Sequence, residues 1–318
     1  MSASFITTVT GEIRAEELGP TLAHEHLYCD LSVDSGKADN RVANVELITD
    51  ELACFRKAGG HSIVEVTPVG VGRNAGKLRE ISAASGAQIV SGIAFYDERT
   101  YPDWVHRARA DEIADYFVSE IEEGTDGVRA GLIGELLSHN SPRANPRSYR
   151  LREAERRVFA AAAKAQRRTG VAISTHAALG RAGHAQLDAL ERSGANLARV
   201  IIGHCDAHAH EDIEQDLAYY LPILKRGAYC QFDLIGWSEL ASDEARSTRI
   251  AALARMGFAK KITLATDTCR LSQLHRNGGR GFDYLWTSFL PLLRARGVTE
   301  AQIHAMLVEA PRTVLARS

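Results

Sequence analysis

Short runs of apolar, largely β-branched residues recur along the chain, separated by longer stretches with helical spacing. The runs fall at Thr21–His24, Ser62–Val66, Gln88–Ile93, Gly131–Gly134, Val171–Thr175, Val200–Gly203, Ala228–Phe232 and Ile262–Ala265. Most carry apolar residues at consecutive positions, the pattern of strands covered on both faces. Between them Val45–Lys57, Ala110–Glu123, Arg150–Arg168 and Asp212–Lys225 read as helices. The third is rich in strong helix formers, and Gly170 stands where a C-cap is expected. Eight strands, each followed by a helix, predict an α/β fold, a (β/α)8 TIM barrel forming one domain over residues 1–318. A doubly wound open sheet is the rival, and eight repeats in a chain of this length fit the closed barrel better. No linker, internal repeat or abrupt change of composition breaks the pattern.

Composition narrows the function. Hydrophobic residues make up 45% and charged residues 25% of 318, which excludes a disordered or low-complexity chain. The chain is long enough to bury a core without disulfides. Basic and acidic residues, 38 against 40, nearly balance, so neither nucleic acid nor a membrane is an expected partner. No apolar run approaches the ~18 residues of a membrane span. The N-terminal stretch lacks the basic and apolar regions of a secretion signal, so a cytoplasmic location is expected. The five cysteines, Cys29, Cys54, Cys205, Cys230 and Cys269, are odd in number and form no CxxC pair, and are read as free thiols.

The chemistry lies just past the strand ends. His24-Glu25-His26 follows the first run, Glu135 the fourth, His176 the fifth, His204 the sixth and Asp267 the eighth. Residues i and i+2 of an extended chain point the same way, so His24 and His26 can reach one metal ion. All strand C-termini of a barrel open onto one face, so four histidines, a glutamate and an aspartate would converge there. Any one of them alone could be a polar turn residue or a helix cap; together they predict a metal site. Six ligands exceed the usual four of one zinc ion and suit two divalent ions sharing Glu135 through its two oxygens. Two cations lower the pKa of a bridging water from about 15.7 towards ~7, which predicts metal-assisted hydrolysis with Asp267 as ligand and proton acceptor. Zinc suits the nitrogen and oxygen donors, and manganese, cobalt, nickel or iron would fit as well. His106, His184 and His304 fall in helical stretches, where surface roles are expected; His208 and His210, in an acidic loop, have the i, i+2 spacing of a metal pair but are the weaker candidates.

Thr21-Leu-Ala-His24-Glu-His26-Leu resembles the opening signature of the phosphotriesterase family within the amidohydrolase superfamily. Gly203-His204-Cys-Asp206, Asp267-Thr268 and Gly278-Gly-Arg-Gly-Phe-Asp283-Tyr284 resemble its later blocks, in family order. The resemblance is closest to the phosphotriesterase homology proteins and lactonase-like members with a bridging glutamate. It implies a distorted TIM barrel, a binuclear metal centre and a homodimer. It also implies that His24, His26 and Asp267 hold the buried metal, and His176 and His204 the exposed one. The best-known members bridge their metals with a carboxylated lysine, where this chain has Glu135. Organophosphate-degrading members carry Asp-His after strand seven, where this chain reads Asp233-Leu234 and so lacks the relay histidine.

The loop after the eighth run, from Asp267 to Gly281, carries Arg270, Arg276 and Arg280, candidates for holding a carboxylate or phosphate on a small-molecule substrate. A solvated basic loop or a dimer contact is the alternative. The glycine-rich Thr67–Asn74 loop lacks the lysine of a P-loop and contributes Arg73 as a further candidate. Tyr96 and Asp233 also stand at strand ends facing the expected pocket. The leading expectation is a lactonase or carboxylic ester hydrolase acting on an anionic, sugar-acid type substrate. The alternatives are an amidohydrolase that deacylates N-acyl amino acids or amines, and a weak phosphotriesterase.

Overall fold

The computed structural model describes residues 4–139, 149–177 and 181–317. Eight strands form one sheet: β1 Thr21–Glu25, β2 Ser62–Glu65, β3 Gln88–Ile93, β4 Leu132–Leu137, β5 Ala172–His176, β6 Val200–Ile202, β7 Tyr229–Phe232 and β8 Ile262–Leu264. They pair in sequence order, every pair parallel. Side chain and backbone bring β8 back to β1. Glu25 accepts from Thr266 N (2.7 Å), Thr266 Oγ1 (2.8 Å) and Thr268 N (2.7 Å), and the His26 amide donates to Thr268 O (3.3 Å). The result is the expected TIM barrel.

Helices follow the strands on the outside: α1 Val45–Ala58, α2 Ala75–Ser85, α3 Ala110–Glu122, α4 Glu153–Thr169, α5 Gly183–Arg192, α6 Ile213–Lys225 and α7 Asp243–Arg255, with helical segments at 285–295 and 300–315 completing the ring. Strand alternation divides the core in two. Val64, Val90, Leu132, Ala172, Ile201 and Tyr229 point into the barrel. Their neighbours Ile63, Ile89, Ile133, Ile173, Ile202 and Cys230 pack outward under the helices. The interior cluster is capped from below by Ile6, Leu18, Val314 and Leu315. Ile6 belongs to an antiparallel hairpin, Phe5–Thr8 with Gly11–Arg14, that the sequence pattern did not reveal. The barrel is therefore solid at its N-terminal end, and a site can form only at the other.

Two boundaries differ from expectation by more than one residue. Helix α4 starts three residues later than Arg150, because Arg152 is extended and its amide is taken by the Glu155 carboxylate at 2.8 Å. Strand β4 runs on to Leu137, so Glu135 lies inside the strand rather than after it. The register against β5 shifts between Ile133 and Leu136, around Glu135.

Candidate metal centre

The C-terminal mouth of the barrel draws six side chains together. Glu135 is the hub. Its Oε2 lies 2.9 Å from His176 Nδ1, 3.4 Å from His24 Nε2 and 3.6 Å from His204 Nε2, and its Oε1 lies 3.5 Å from His26 Nε2. Asp267 Oδ1 lies 3.3 Å from His26 Nε2 and 3.6 Å from His24 Nε2. His204 Nε2 meets His176 Nδ1 at 2.8 Å. Three groups could each hold a cation: His24 with His26 and Asp267, Glu135 with His176 and His204, and, deeper, His24 with His204 and Asp233. His204 and Asp267 are held at positive φ, 52° and 45°, a conformation that non-glycine residues avoid unless their surroundings enforce it.

The donor chemistry fits metal ions. All six side chains are buried. His24 Nε2 is buried without a hydrogen-bond partner, although two carboxylates lie within 3.6 Å. A ring nitrogen with a lone pair aimed at acidic oxygens at such distances suits a cation between them. Burial opposes a charge on His24, but the Asp233 and Glu135 carboxylates overrule it and raise its pKa to about 9. Burial would likewise raise Glu135, yet His176 and His24 hold it well below the usual carboxylate range. His26 and His204 are raised as well, while burial lowers His176; the field that draws protons onto three of the four imidazoles would draw a divalent cation too.

Behind the six stands a layer that orients them. Asp233 accepts from the His204 amide (3.0 Å) and faces His204 Nδ1 at 2.8 Å and His24 Nδ1 at 3.3 Å. Gln231 Oε1 faces His24 Nδ1 at 3.1 Å, and its amide donates to Ala23 O at 2.8 Å. Thr67 Oγ1 faces His26 Nδ1 at 2.8 Å and donates to Glu65. Sequence reasoning missed Gln231, Thr67 and Glu65. Their signal was polar residues at i, i+2 spacing, Glu65 with Thr67 and Gln231 with Asp233, within and just past otherwise apolar strands.

Above the cluster opens a cavity of about 240 Å³. His26, Glu135, His176, His204 and Asp267 line it, while His24 lies deeper. Leu31, Leu234, Trp237 and Leu240 supply apolar wall, and Asp34, Asn40, Glu239 and Arg270 supply polar groups. Tyr96 lines the cavity with its ring edge-on to His176, centroids 5.4 Å apart. Arg270 is the one expected arginine on this wall. Its guanidinium stacks 4.2 Å over Trp237 and pairs with Glu239 at 3.1 Å.

Four other expected substrate contacts are placed elsewhere. Asp233 is fully buried behind the histidines, engaged by His204. Arg73 turns inward to Gly92 O (2.7 Å) and a buried pair with Glu120 (3.0 Å), because its loop folds back against the barrel wall. Arg276 is exposed and off the cavity lining, its backbone amide tied to Glu51. Arg280 donates to Thr266 O at 2.5 Å and packs toward Trp237 and Tyr284, so it supports the loop rather than the cavity wall. His210 pairs with Asp216 at 2.7 Å, well supplied without a metal.

Comparison with known proteins agrees with this geometry. Residues 4–315 match the model of the phosphotriesterase family. The chain is 35% identical over 295 residues to the phosphotriesterase homology protein of Escherichia coli K12, covering 92% of this chain and 96% of that one. The crystal structure of that protein, with phosphate in its active site, superposes with a TM-score of 0.85 at 34% identity, covering 94% and 99% of the two chains. The N-acetyltaurine hydrolase of Danio rerio is 27% identical, covering 96% of each chain. A solved structure engineered for organophosphate hydrolysis from a weak promiscuous lactonase template superposes with a TM-score of 0.79 at 27% identity, covering 98% and 99%.

Proposed function

The chain belongs to the phosphotriesterase family, and on that footing we propose that it is a binuclear metal-dependent hydrolase of lactones or related carboxylic esters with a small anionic, sugar-acid character. The observation that carries the reading is the convergence of six buried ligand-type side chains at the floor of a cavity with one arginine in its wall. In this reading His24, His26 and Asp267 would hold one ion and His176 and His204 the other, with Glu135 within reach of both groups. Zinc suits these donors, as do manganese, cobalt, nickel and iron. When bound, two divalent ions polarise the substrate carbonyl and acidify a water molecule.

The chain's own residues supply the rest. Asp267, at the cavity wall, takes the proton of the attacking water and returns it to the leaving oxygen. Arg270, held flat by Trp237 and Glu239, offers its fork to the substrate's anionic group. Leu31, Leu234 and Leu240 keep bulk water from the reacting bond. Leu234 stands where organophosphate-degrading members have a relay histidine, so phosphotriester turnover is expected to be weak.

A second reading, hydrolysis of an N-acyl amino acid or amine, is favoured by the likeness to N-acetyltaurine hydrolase over 96% of both chains. An alkoxide leaves more readily than an amine anion, and Asp267 is the single proton shuttle in this reading, which favours the ester. Rates of zinc- or manganese-loaded protein on matched lactones, esters, N-acyl amino acids and phosphotriesters, with Glu135→Ala as blank, decide between them. Turnover of N-acyl compounds alone would move the assignment to the amide. Arg270→Ala is expected to raise KM roughly 10-fold for anionic substrates, the value of one charge-assisted contact, and little for neutral ones. Equal effects on both would remove Arg270 from substrate binding.

A further inference from the structure

Glu65 is a fully buried carboxylate in β2 that the proposed chemistry does not use. One of its oxygens accepts from the Thr67 hydroxyl, and the other has no hydrogen-bond partner among the described residues. Thr67 Oγ1 in turn lies 2.8 Å from His26 Nδ1. A hydroxyl has a single proton, and a carboxylate can only accept. If Thr67 donates to Glu65, its oxygen is left to accept, and the partner at 2.8 Å must be an N–H. The proton of His26 is then on Nδ1. Its Nε2 carries the lone pair, and that is the atom facing Glu135 and Asp267 at 3.5 and 3.3 Å.

The two other histidines with an acceptor behind them reach the same state by different means. Gln231 gives its amide hydrogens to Ala23 O, so its Oε1 must face His24 Nδ1 as acceptor. Asp233 receives the His204 amide and faces Nδ1 of the same residue. In both, Nε2 is left to the cluster. The Glu65–Thr67 chain is the version of this device for His26, built in two steps.

We propose that Glu65 is a positioning residue that acts through Thr67 to fix the tautomer of His26, and so selectively sets the affinity of the ion held by His24, His26 and Asp267. The inference rests on the binuclear reading above. It specifies that the two ions respond differently to a change at Thr67, since His176 and His204 bond to Glu135, Asp233 and each other and not to Glu65 or Thr67.

The test uses the full-length protein at pH 8.5, above the value of about 7 to which burial pushes the Glu65 carboxyl. Long-range 15N–1H spectra of the histidine rings, recorded on the zinc-loaded protein, report whether the ring proton of His26 sits on Nδ1. Dialysis against graded zinc or manganese buffers counts the ions and their affinities, and circular dichroism melting checks folding. Wild type is expected to show His26 with the proton on Nδ1 and to hold two ions. Thr67→Val should lose the fixed tautomer and bind one of the two ions about 10- to 100-fold more weakly, the range for loss of a partner behind a metal-bound histidine. Thr67→Ser, which restores the hydroxyl, should recover both. Glu65→Gln keeps shape and an acceptor without charge, and should weaken the same ion to a smaller extent; it serves if Thr67→Val does not fold. A folded Thr67→Val with the wild-type tautomer and two wild-type affinities would overturn the proposal, as would Thr67→Ser as defective as Thr67→Val. Wild type binding fewer than two ions would overturn the binuclear reading and this proposal with it, whereas two ions at full affinity in every variant would overturn this proposal alone.

Discussion

Each imidazole of the cluster has two ring nitrogens, and the hydrogen bond made by one decides whether the other can ligate. Asp233 serves two of them, facing Nδ1 of both His24 and His204. Asp233→Asn keeps the volume but can place an amide N–H against one of those nitrogens. The expected outcome is a 10- to 100-fold loss of metal affinity with a smaller loss of fold stability. Metal titration and a denaturant melt measure the two separately, and unchanged affinity would return Asp233 to a purely packing role. The six ligand candidates were legible in the residue string because each is a rare type placed at the end of an apolar run. Arg73, Arg276 and Arg280 were not separable from Arg270 in the same way. Four arginines in two loops look alike in sequence, and which of them faces the cavity depends on loop folds that bring Glu120, Thr266 or Glu239 within reach.

The strands and helices hold these residues through specific local devices. Helix α4 ends at Gly170 with φ 74°, and a Cβ there would meet nothing within 4 Å. Gly170→Ala therefore costs only backbone strain, about 1 kcal/mol, with no change in activity. A loss well above that in a urea melt would mean the turn is also packed. The mouth loops are tied to the outer helices by Asp216 of α6. It is fully buried and receives Arg249 Nε of α7 and His210 Nδ1, each at 2.7 Å, together with Arg181 after β5. Burial would raise this carboxyl, but the hydrogen bonds from His210, Arg181 and Arg249 win and lower it. Its contribution is therefore complete above the ordinary aspartate value of 3.8 and is lost as pH falls through the lower folded value. Asp216→Asn should flatten the acid limb of the stability profile below about pH 4. An acid limb as steep as wild type would show that other carboxylates dominate it. Helix existence was legible from periodicity, while the start of α4 and the extension of β4 past Glu135 were not. Both depend on partners far away in sequence or on a register shift between strands.

In the whole molecule, stability and site are coupled because the candidate ligands come from β1 and its end, β4, β5 and the loops after β6 and β8. Ions shared among five separate segments bind the folded chain and not the unfolded one. Removing them with a chelator is expected to lower stability by about 2.7 kcal/mol for each ion that had been at 100 times its dissociation constant. Thermal melting with and without chelator measures this, and equal midpoints would count against metal occupancy. Among the described residues no helix is long and apolar enough to cross a membrane. The repeat of apolar runs and helical stretches was sufficient for the barrel, because parallel strands buried on both faces leave a distinctive signature. It was sufficient to bring the six candidate ligands together as well, because a barrel delivers every strand end to one mouth. Folding in three dimensions settled the remainder: the hairpin beneath the barrel, the buried groups behind His24, His26 and His204, and which of the candidate arginines, Arg270, reaches the cavity wall. These rest on contacts between residues such as Glu25 and Thr268, or His24 and Gln231, more than 200 positions apart, and no local pattern encodes contacts of that range.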